Sequence, residues 1–153
     1  MNNFIFENKT KVYFGKGCVG EYLPKIAAVH GDKVLLAYGG GSIKKNGVYE
    51  EVIAALEKAG KTIIEFPGIM ENPTYKKVLE GTKLVKAAVS EKDVWDEYWA
   101  KKGVVDFEPM PLGVIVTASG TGSECNGGAV ITNEEVMIKT DRDYPKCNPE
   151  FAL

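Results

Sequence analysis

Two short apolar runs, Val34-Leu35-Leu36-Ala37-Tyr38 and Leu112 to Val116, each empty into small and hydroxyl-bearing residues. Gly39-Gly40-Gly41-Ser42 follows the first, and Thr117-Ala118-Ser119-Gly120-Thr121-Gly122-Ser123-Glu124 follows the second. Near-continuous apolar runs suit strands buried on both faces of a parallel sheet. In open α/β sheets, ligands bind outside the C-terminal ends of such strands. Glycines let the backbone approach an anion closely, while hydroxyls and amide hydrogens donate to it. The two turns therefore point to one nucleotide-sized ligand touched from two strands, the alternative being two ordinary strand-to-loop transitions.

The order of elements agrees with such a sheet. Phe4 to Phe6 and Lys11 to Phe14, separated by Glu7-Asn8-Lys9-Thr10, read as a small N-terminal β-hairpin. Val19, Leu23, Ile26 and Ala27 then recur at helical steps, with Pro24 either tolerated or marking a restart, until His30-Gly31-Asp32. After the strand at Val34–Tyr38, an amphipathic helix carries Val48, Val52, Ile53, Leu56 and Ala59 on one face and stops at Gly60. Thr62 to Phe66 is the next strand. Asn72-Pro73-Thr74 turns into a helix with Val78, Leu79, Thr82, Leu84 and Val85 on its apolar side.

Here the alternation fails. A helix ending near Ala88 should lead to a buried strand and a further ligand loop, but Ser90-Glu91-Lys92-Asp93 follows. Then comes Val94-Trp95-Asp96-Glu97-Tyr98-Trp99, an aromatic and acidic stretch suited to a short helix or an extended edge. Further on, Val114 to Val116, Ala129 to Thr132 and Val136 to Lys139 read as strands, the last two forming a hairpin across Asn133-Glu134-Glu135. Phe151-Ala152-Leu153 reads as one more. The expected fold is α/β: a Rossmann-like open parallel sheet with flanking helices, an N-terminal and a late β-hairpin, and one central βαβ increment missing.

At 153 residues the chain is long enough to bury a core without disulfides or metal. A formal net charge of -2 leaves no electrostatic footprint for nucleic acid or for an anionic membrane. Cys18, Cys125 and Cys147 are too scattered for a disulfide framework or a metal knuckle, which fits a reducing cytoplasm. No apolar run approaches a membrane span, and Asn2, Asn3 and Glu7 stand where a secretion signal needs basic and then long apolar residues, so a cytoplasmic protein is expected.

Gly15-Lys16-Gly17-Cys18-Val19-Gly20 matches G-x-G-x-x-G, yet the strand before it is too short to be the central strand of a dinucleotide fold, so the glycines are assigned to the start of a helix. The Gly39–Ser42 turn is the stronger candidate. No carboxylate stands at that strand end to chelate a ribose diol, whereas glycine amides and Ser42 donate to an extra phosphate, with Lys44 and Lys45 nearby. That favours NADPH over NADH. The alternative is that Asn46 or Ser42 merely caps the next helix while the lysines are solvated. His30 is the only histidine and is expected at the surface. Neither a histidine-based triad nor a multi-histidine metal site is available, so no catalytic residue and no metal ligand is expected. Cys125 is either a reactive thiol or a small buried residue, and Trp95 and Trp99 are expected to pack rather than stack on a ligand.

Taken together, Phe14-Gly15-Lys16-Gly17, Tyr38-Gly39-Gly40-Gly41-Ser42-Ile43-Lys44-Lys45-Asn46-Gly47-Val48-Tyr49, Asn72-Pro73 and Thr121-Gly122-Ser123-Glu124 with Asn126 resemble the iron-containing alcohol dehydrogenase family, in its NADPH-dependent butanol dehydrogenase branch. The resemblance covers residues 1–153 as the nucleotide-binding half of such an enzyme. It implies that Gly39, Gly40, Gly41 and Ser42 surround the adenosine ribose and its 2'-phosphate, and that Asn72 lies along the cofactor. Thr117, Thr121, Asn126 and Lys139 would line the cleft from the other side. In the family a C-terminal helical domain supplies Asp and His ligands to Fe or Zn, and those ligands have no counterpart here.

A second glycine-rich turn, which in the family holds the pyrophosphate, should stand between Ala88 and Asp93. Its absence amounts to a gap on the order of 30 residues, one βαβ increment. The resemblance thus implies a truncated, internally deleted dehydrogenase half, inactive alone, with NADPH binding weak or lost. The alternatives are a non-catalytic module that forms a homodimer through its N-terminal hairpin and the sheet edge exposed by the deletion, or a half-enzyme completed in trans by a metal-binding chain.

Overall fold

The computed structural model describes residues 3, 7–84, 95–100, 108–118 and 120–153. Its core forms where two helices meet. Helix α1 (Cys18–Ala28) buries Val19, Leu23 and Ala27, and helix α3 (Val48–Lys58) buries Val52, Ala55 and Leu56; the six residues form one cluster. Burying a leucine such as Leu23 or Leu56 is worth about 1.5–3 kcal/mol. Pro24 neither stops nor restarts α1, which runs through it as one helix. The carbonyl its ring crowds belongs to Gly20, which has no side chain to add to the crowding. Gly17, at φ 76, directly precedes α1, as the helix-start reading of the Gly15–Gly20 motif requires. Gly60, at φ 69, follows α3 as its stop.

Parallel strands lie against this pair of helices. β2 (Lys33–Ala37) pairs in parallel with β3 (Thr62–Phe66), Leu36 opposite Glu65. A three-stranded parallel sheet places β7 (Phe151–Ala152) between β1 (Lys11–Val12) and β4 (Gly113–Val114). Val34, Leu36 and Ile63 from the first sheet, and Ile115, Phe151 and Leu153 from the second, pack against the same helical cluster. The expected run from Leu112 to Val116 is longer than β4, but its bonding is continuous. Glu150 N–H donates to the Leu112 carbonyl at 2.8 Å, and Val116 N–H donates to the Leu153 carbonyl at 2.9 Å.

Three expectations shift. The late hairpin pairs β5 (Gly128–Asn133) with β6 (Ile138–Asp143), so its second strand begins two residues after Val136 and runs on into polar residues. The turn between them ends at Met137 with φ 55. One face of the ribbon buries Ile131 and Asn133, while most of its other residues are exposed. A single helical turn, α2 (Ser42–Lys45), precedes α3 where only one helix was expected. Helix α4 (Tyr75–Leu84) forms as expected, but Leu79 and Leu84 are exposed instead of buried. The first strand of the N-terminal hairpin, the end of the α4 segment beyond Leu84 and the break at 90–93 lie outside the described residues.

The aromatic stretch is a π-helical turn, Trp95–Ala100. Trp95 and Tyr98 are buried within the chain. Tyr75 lies 5.9 Å from Trp95 between ring centroids, and Trp99 meets Tyr144 edge-on. The Arg142 guanidinium and the Tyr144 hydroxyl donate to the carbonyls of Trp99 and Tyr98, respectively, tying the turn to β6 and the residue after it. These tryptophans pack, as expected.

Candidate nucleotide-binding site

β2 and β3 end side by side, and the loops that follow them fold together. Gly68 N–H donates to the Gly39 carbonyl at 3.0 Å, and Ile69 N–H donates to the Tyr38 carbonyl at 3.2 Å. A Cβ on residue 39 would stand 3.2 Å from the Ile69 carbonyl oxygen, so the first glycine of the turn is needed for this close approach. Between the loops opens a groove of about 590 Å³, lined by Gly40, Gly68, Ile69, Met70, Glu71 and Asn72. The Gly39–Ser42 turn thus faces the Asn72 segment, two of the regions singled out from sequence alone. Gly40, Gly41 and Ser42 are exposed. The capping alternative falls to Asn46, whose Oδ1 accepts the Val48 N–H at 3.2 Å at the start of α3.

Asn72 is held by the late hairpin. The Pro73 carbonyl accepts the Thr132 N–H at 3.0 Å, and Thr74 bridges to Thr132. Thr74 Oγ1 also accepts the Lys77 N–H at 3.2 Å, capping α4. Thr132 stands opposite Lys139 in the β5–β6 register. Lys139 therefore reaches the same loop, and its Nζ donates to Asn72 Oδ1 at 2.5 Å. Two candidate residues 67 positions apart are joined directly. The other candidates lie in the loop after β4. Thr117 is exposed beyond that strand, Thr121 Oγ1 accepts the Ser123 N–H at 3.3 Å, and Asn126 ties the loop by donating to the Gly122 carbonyl at 2.7 Å and accepting the Gly128 N–H at 2.9 Å. Their hydrogen bonds shape their own loop, while Gly39, Gly40 and Asn72 share the groove region. Cys125 is half-buried there, its carbonyl accepting from Asn8.

One cluster had no place in the sequence reading. Tyr38, just before the glycines, donates its hydroxyl to Glu65 Oε2 at 2.5 Å. Tyr49 meets Tyr38 edge-on at 5.6 Å, and Lys44 Nζ stands 4.4 Å from the Tyr49 ring centroid and 5.5 Å from that of Tyr38. Hydrogen bonds from Tyr38 and Tyr49, with Lys44 nearby, hold the Glu65 carboxyl below its usual range. The same hydrogen bond pushes the Tyr38 hydroxyl up. Lys44 is thus engaged by aromatic rings, not simply solvated. Strand register offers the one signal that anticipates this cluster, since Glu65 pairs with Leu36 and has Tyr38 as its diagonal neighbour.

His30 is partly exposed, its Nε2 standing 3.8 Å from Glu150. Among the described residues no three His, Cys, Asp or Glu side chains converge as metal ligands do. Nor is any described helix long and apolar enough to cross a membrane.

The iron-containing alcohol dehydrogenase pattern matches residues 9–90 and 77–153, essentially the whole chain. The chain belongs to that family. It is 36% identical to the probable NADH-dependent butanol dehydrogenase 1 of Bacillus subtilis, over 100% of this chain and 45% of that protein. It is 33% identical to the NADPH-dependent aldehyde reductase YqhD of Escherichia coli, again over 100% of this chain and 45% of the other. The crystal structure of NADH-dependent butanol dehydrogenase A from Thermotoga maritima superposes with a TM-score of 0.89 at 34% identity, covering 99% of this chain and 44% of that one. This member of the iron-containing alcohol dehydrogenases therefore spans less than half the length of the relatives it matches. Its α/β architecture is that of their N-terminal Rossmann-like portion. The first alignment runs over 177 positions against 153 residues, so the relative has positions without a counterpart here, and the family match itself comes in two pieces meeting at residues 77–90.

Proposed function

We propose that this chain is the nucleotide-binding half of an NADPH-dependent alcohol or aldehyde dehydrogenase of the butanol type, cytoplasmic and without turnover of its own. The observation that carries the reading is the groove at the ends of β2 and β3, where Gly40 and Asn72 line one opening and Lys139 donates to Asn72. Gly39, Gly40, Gly41 and Ser42 would hold the adenosine ribose and its 2'-phosphate, Asn72 would lie along the dinucleotide, and Thr117, Thr121, Asn126 and Lys139 would face it from the other side. A bound nicotinamide dinucleotide supplies hydride-transfer chemistry. The chain's own part is to bind and orient it. Affinity is expected to be weak, since a lost pyrophosphate turn removes several charge-assisted hydrogen bonds worth about 1.5–3 kcal/mol each.

Calorimetric titration with NADPH and NADH tests this directly. NADPH should bind more tightly than NADH, and Ser42→Ala should weaken it. Equal binding of the two, or an unchanged Ser42→Ala protein, counts against the assignment. With butanal and added iron or zinc, no oxidation of NADPH above a protein-free control is expected, because Lewis-acid catalysis needs several fixed ligands and an open position.

A second reading, a non-catalytic module that forms homodimers, draws on the exposed apolar side chains of the late hairpin, where Val136 and Met137 are 51% and 86% exposed.

A further inference from the structure

The Tyr38, Tyr49, Glu65 and Lys44 cluster lies at the edge of the glycine turn, and of its members only Lys44 enters the binding reading above, as a nearby positive charge. Its chemistry is unusual for an exposed surface. Two edge-on tyrosines hold a lysine ammonium near both rings, and both also hydrogen-bond a carboxylate, Tyr38 at 2.5 Å. Each member comes from a different element: Tyr38 follows β2, Lys44 is in α2, Tyr49 is in the first turn of α3, and Glu65 is in β3. Tyr38 directly precedes Gly39 and Lys44 follows Ser42 by two residues, so the cluster brings a positive and a negative charge to the two ends of the turn. A solvated lysine would swing freely, whereas a ring-held ammonium keeps its position.

We propose that Lys44 and Glu65 act as an opposed charge pair that sets how strongly the Gly39–Ser42 turn discriminates for a 2'-phosphorylated dinucleotide. Lys44 attracts the phosphate dianion, Glu65 repels it, and the tyrosines hold the two charges so that the balance is a property of the site. The inference rests on the nucleotide reading and deepens it. Lys44 and Glu65 are positioning residues for ligand charge. Removing Lys44 leaves the Glu65 charge uncompensated beside the turn, which penalises NADPH. Removing the Glu65 charge leaves Lys44 unopposed, which favours NADPH. NADH lacks the 2'-phosphate and should respond little to either change.

The test is calorimetric titration of the full chain with NADPH and with NADH at two salt concentrations. Lys44→Met is expected to weaken NADPH about tenfold while NADH changes less than about twofold, and to flatten the salt dependence of NADPH binding. Glu65→Gln keeps an oxygen to accept the Tyr38 hydroxyl, and should tighten NADPH by about threefold without moving NADH. Lys44→Arg, which retains the charge and the capacity to lie on a ring, should restore most of the wild-type ratio. A wild-type chain that binds neither dinucleotide overturns the nucleotide reading and this inference with it. Binding whose NADPH to NADH ratio and salt dependence are the same in Lys44→Met and Glu65→Gln overturns this inference alone.

Discussion

Lys139 and Asn72 meet because three short-range choices agree. The Pro73 carbonyl accepts the Thr132 N–H, the hairpin register sets Lys139 opposite Thr132, and the lysine stem is long enough to cross to the loop. The contact is exposed, so its worth to stability is small, about 0.2–1 kcal/mol. Its worth to a ligand is expected to be larger, because it fixes the loop that lines the groove. Lys139→Met should lower thermal stability only slightly yet weaken NADPH several-fold, and Asn72→Ala in the Lys139→Met background should add little more. Independent, additive losses in that double-mutant cycle would show that the two side chains are not coupled. Glu65 supplies a pH signature. Its carboxyl, lowered chiefly by the Tyr38 hydrogen bond, favours folding when ionised. That contribution is complete above the ordinary carboxylate value of about 4.3 and is lost as pH falls through the lower folded value. Thermal melts should therefore show a shallower loss of stability on acidification in Glu65→Gln than in the wild type, and identical acid limbs would remove Glu65 from the account.

At the scale of elements, apolar periodicity and turn chemistry made most of this fold legible. Val19, Leu23 and Ala27, and Val52 and Leu56, mark helices whose buried faces are the observed ones. Thr62 to Phe66 is the observed strand, and Phe151–Ala152 is the centre of a sheet. What periodicity did not reveal was which strands pair, since β1 and β4 reach β7 from far along the chain, and long-range pairing leaves no local mark. The hairpin register was also hidden, because Val130, Ile131 and Thr132 run on without apolar–polar alternation and the buried face carries the polar Asn133 beside Ile131. Within the candidate site, the sequence singled out the Gly39–Ser42 turn, Asn72 and Lys139, which the fold brings to one groove region, whereas the Tyr38–Glu65 cluster depends on a strand register that only the fold provides. Gly113 illustrates the same dependence. It faces Phe151 across the β4–β7 pair, and a Cβ there would collide with the Phe151 ring. Gly113→Ala should cost about 1–3 kcal/mol in chemical denaturation, as overpacking does elsewhere. A Phe151→Leu background should reduce that cost, and a loss unaffected by it would place the strain elsewhere.

At the scale of the whole molecule, the parallel strands form two separate sheets resting on one helical cluster, apart from the antiparallel β5–β6 ribbon. β2 pairs with β3 and β4 with β7, while a sheet of the kind expected here would continue from one to the next. A strand removed between them would leave unpaired backbone and apolar helix surface. The aromatic turn is packed within the chain, since Trp95 and Tyr98 are buried and the carbonyls of Tyr98 and Trp99 are tied to Tyr144 and Arg142. Any remaining edge favours self-association, since unpaired strand edges are templates for pairing and most soluble oligomers close as two-fold dimers. Sedimentation velocity across a range of concentrations is expected to show a dimer, with Trp99→Ala lowering the unfolding midpoint because the Tyr144 contact and the fixed π-helical turn are lost together. Dimerisation that survives Trp99→Ala while stability falls assigns the aromatic turn to cover within the chain and the dimer to the sheet edge. A strictly monomeric wild type whose unfolding is indifferent to Trp99→Ala would mean that the turn covers nothing and that the separate sheets are stable as they stand.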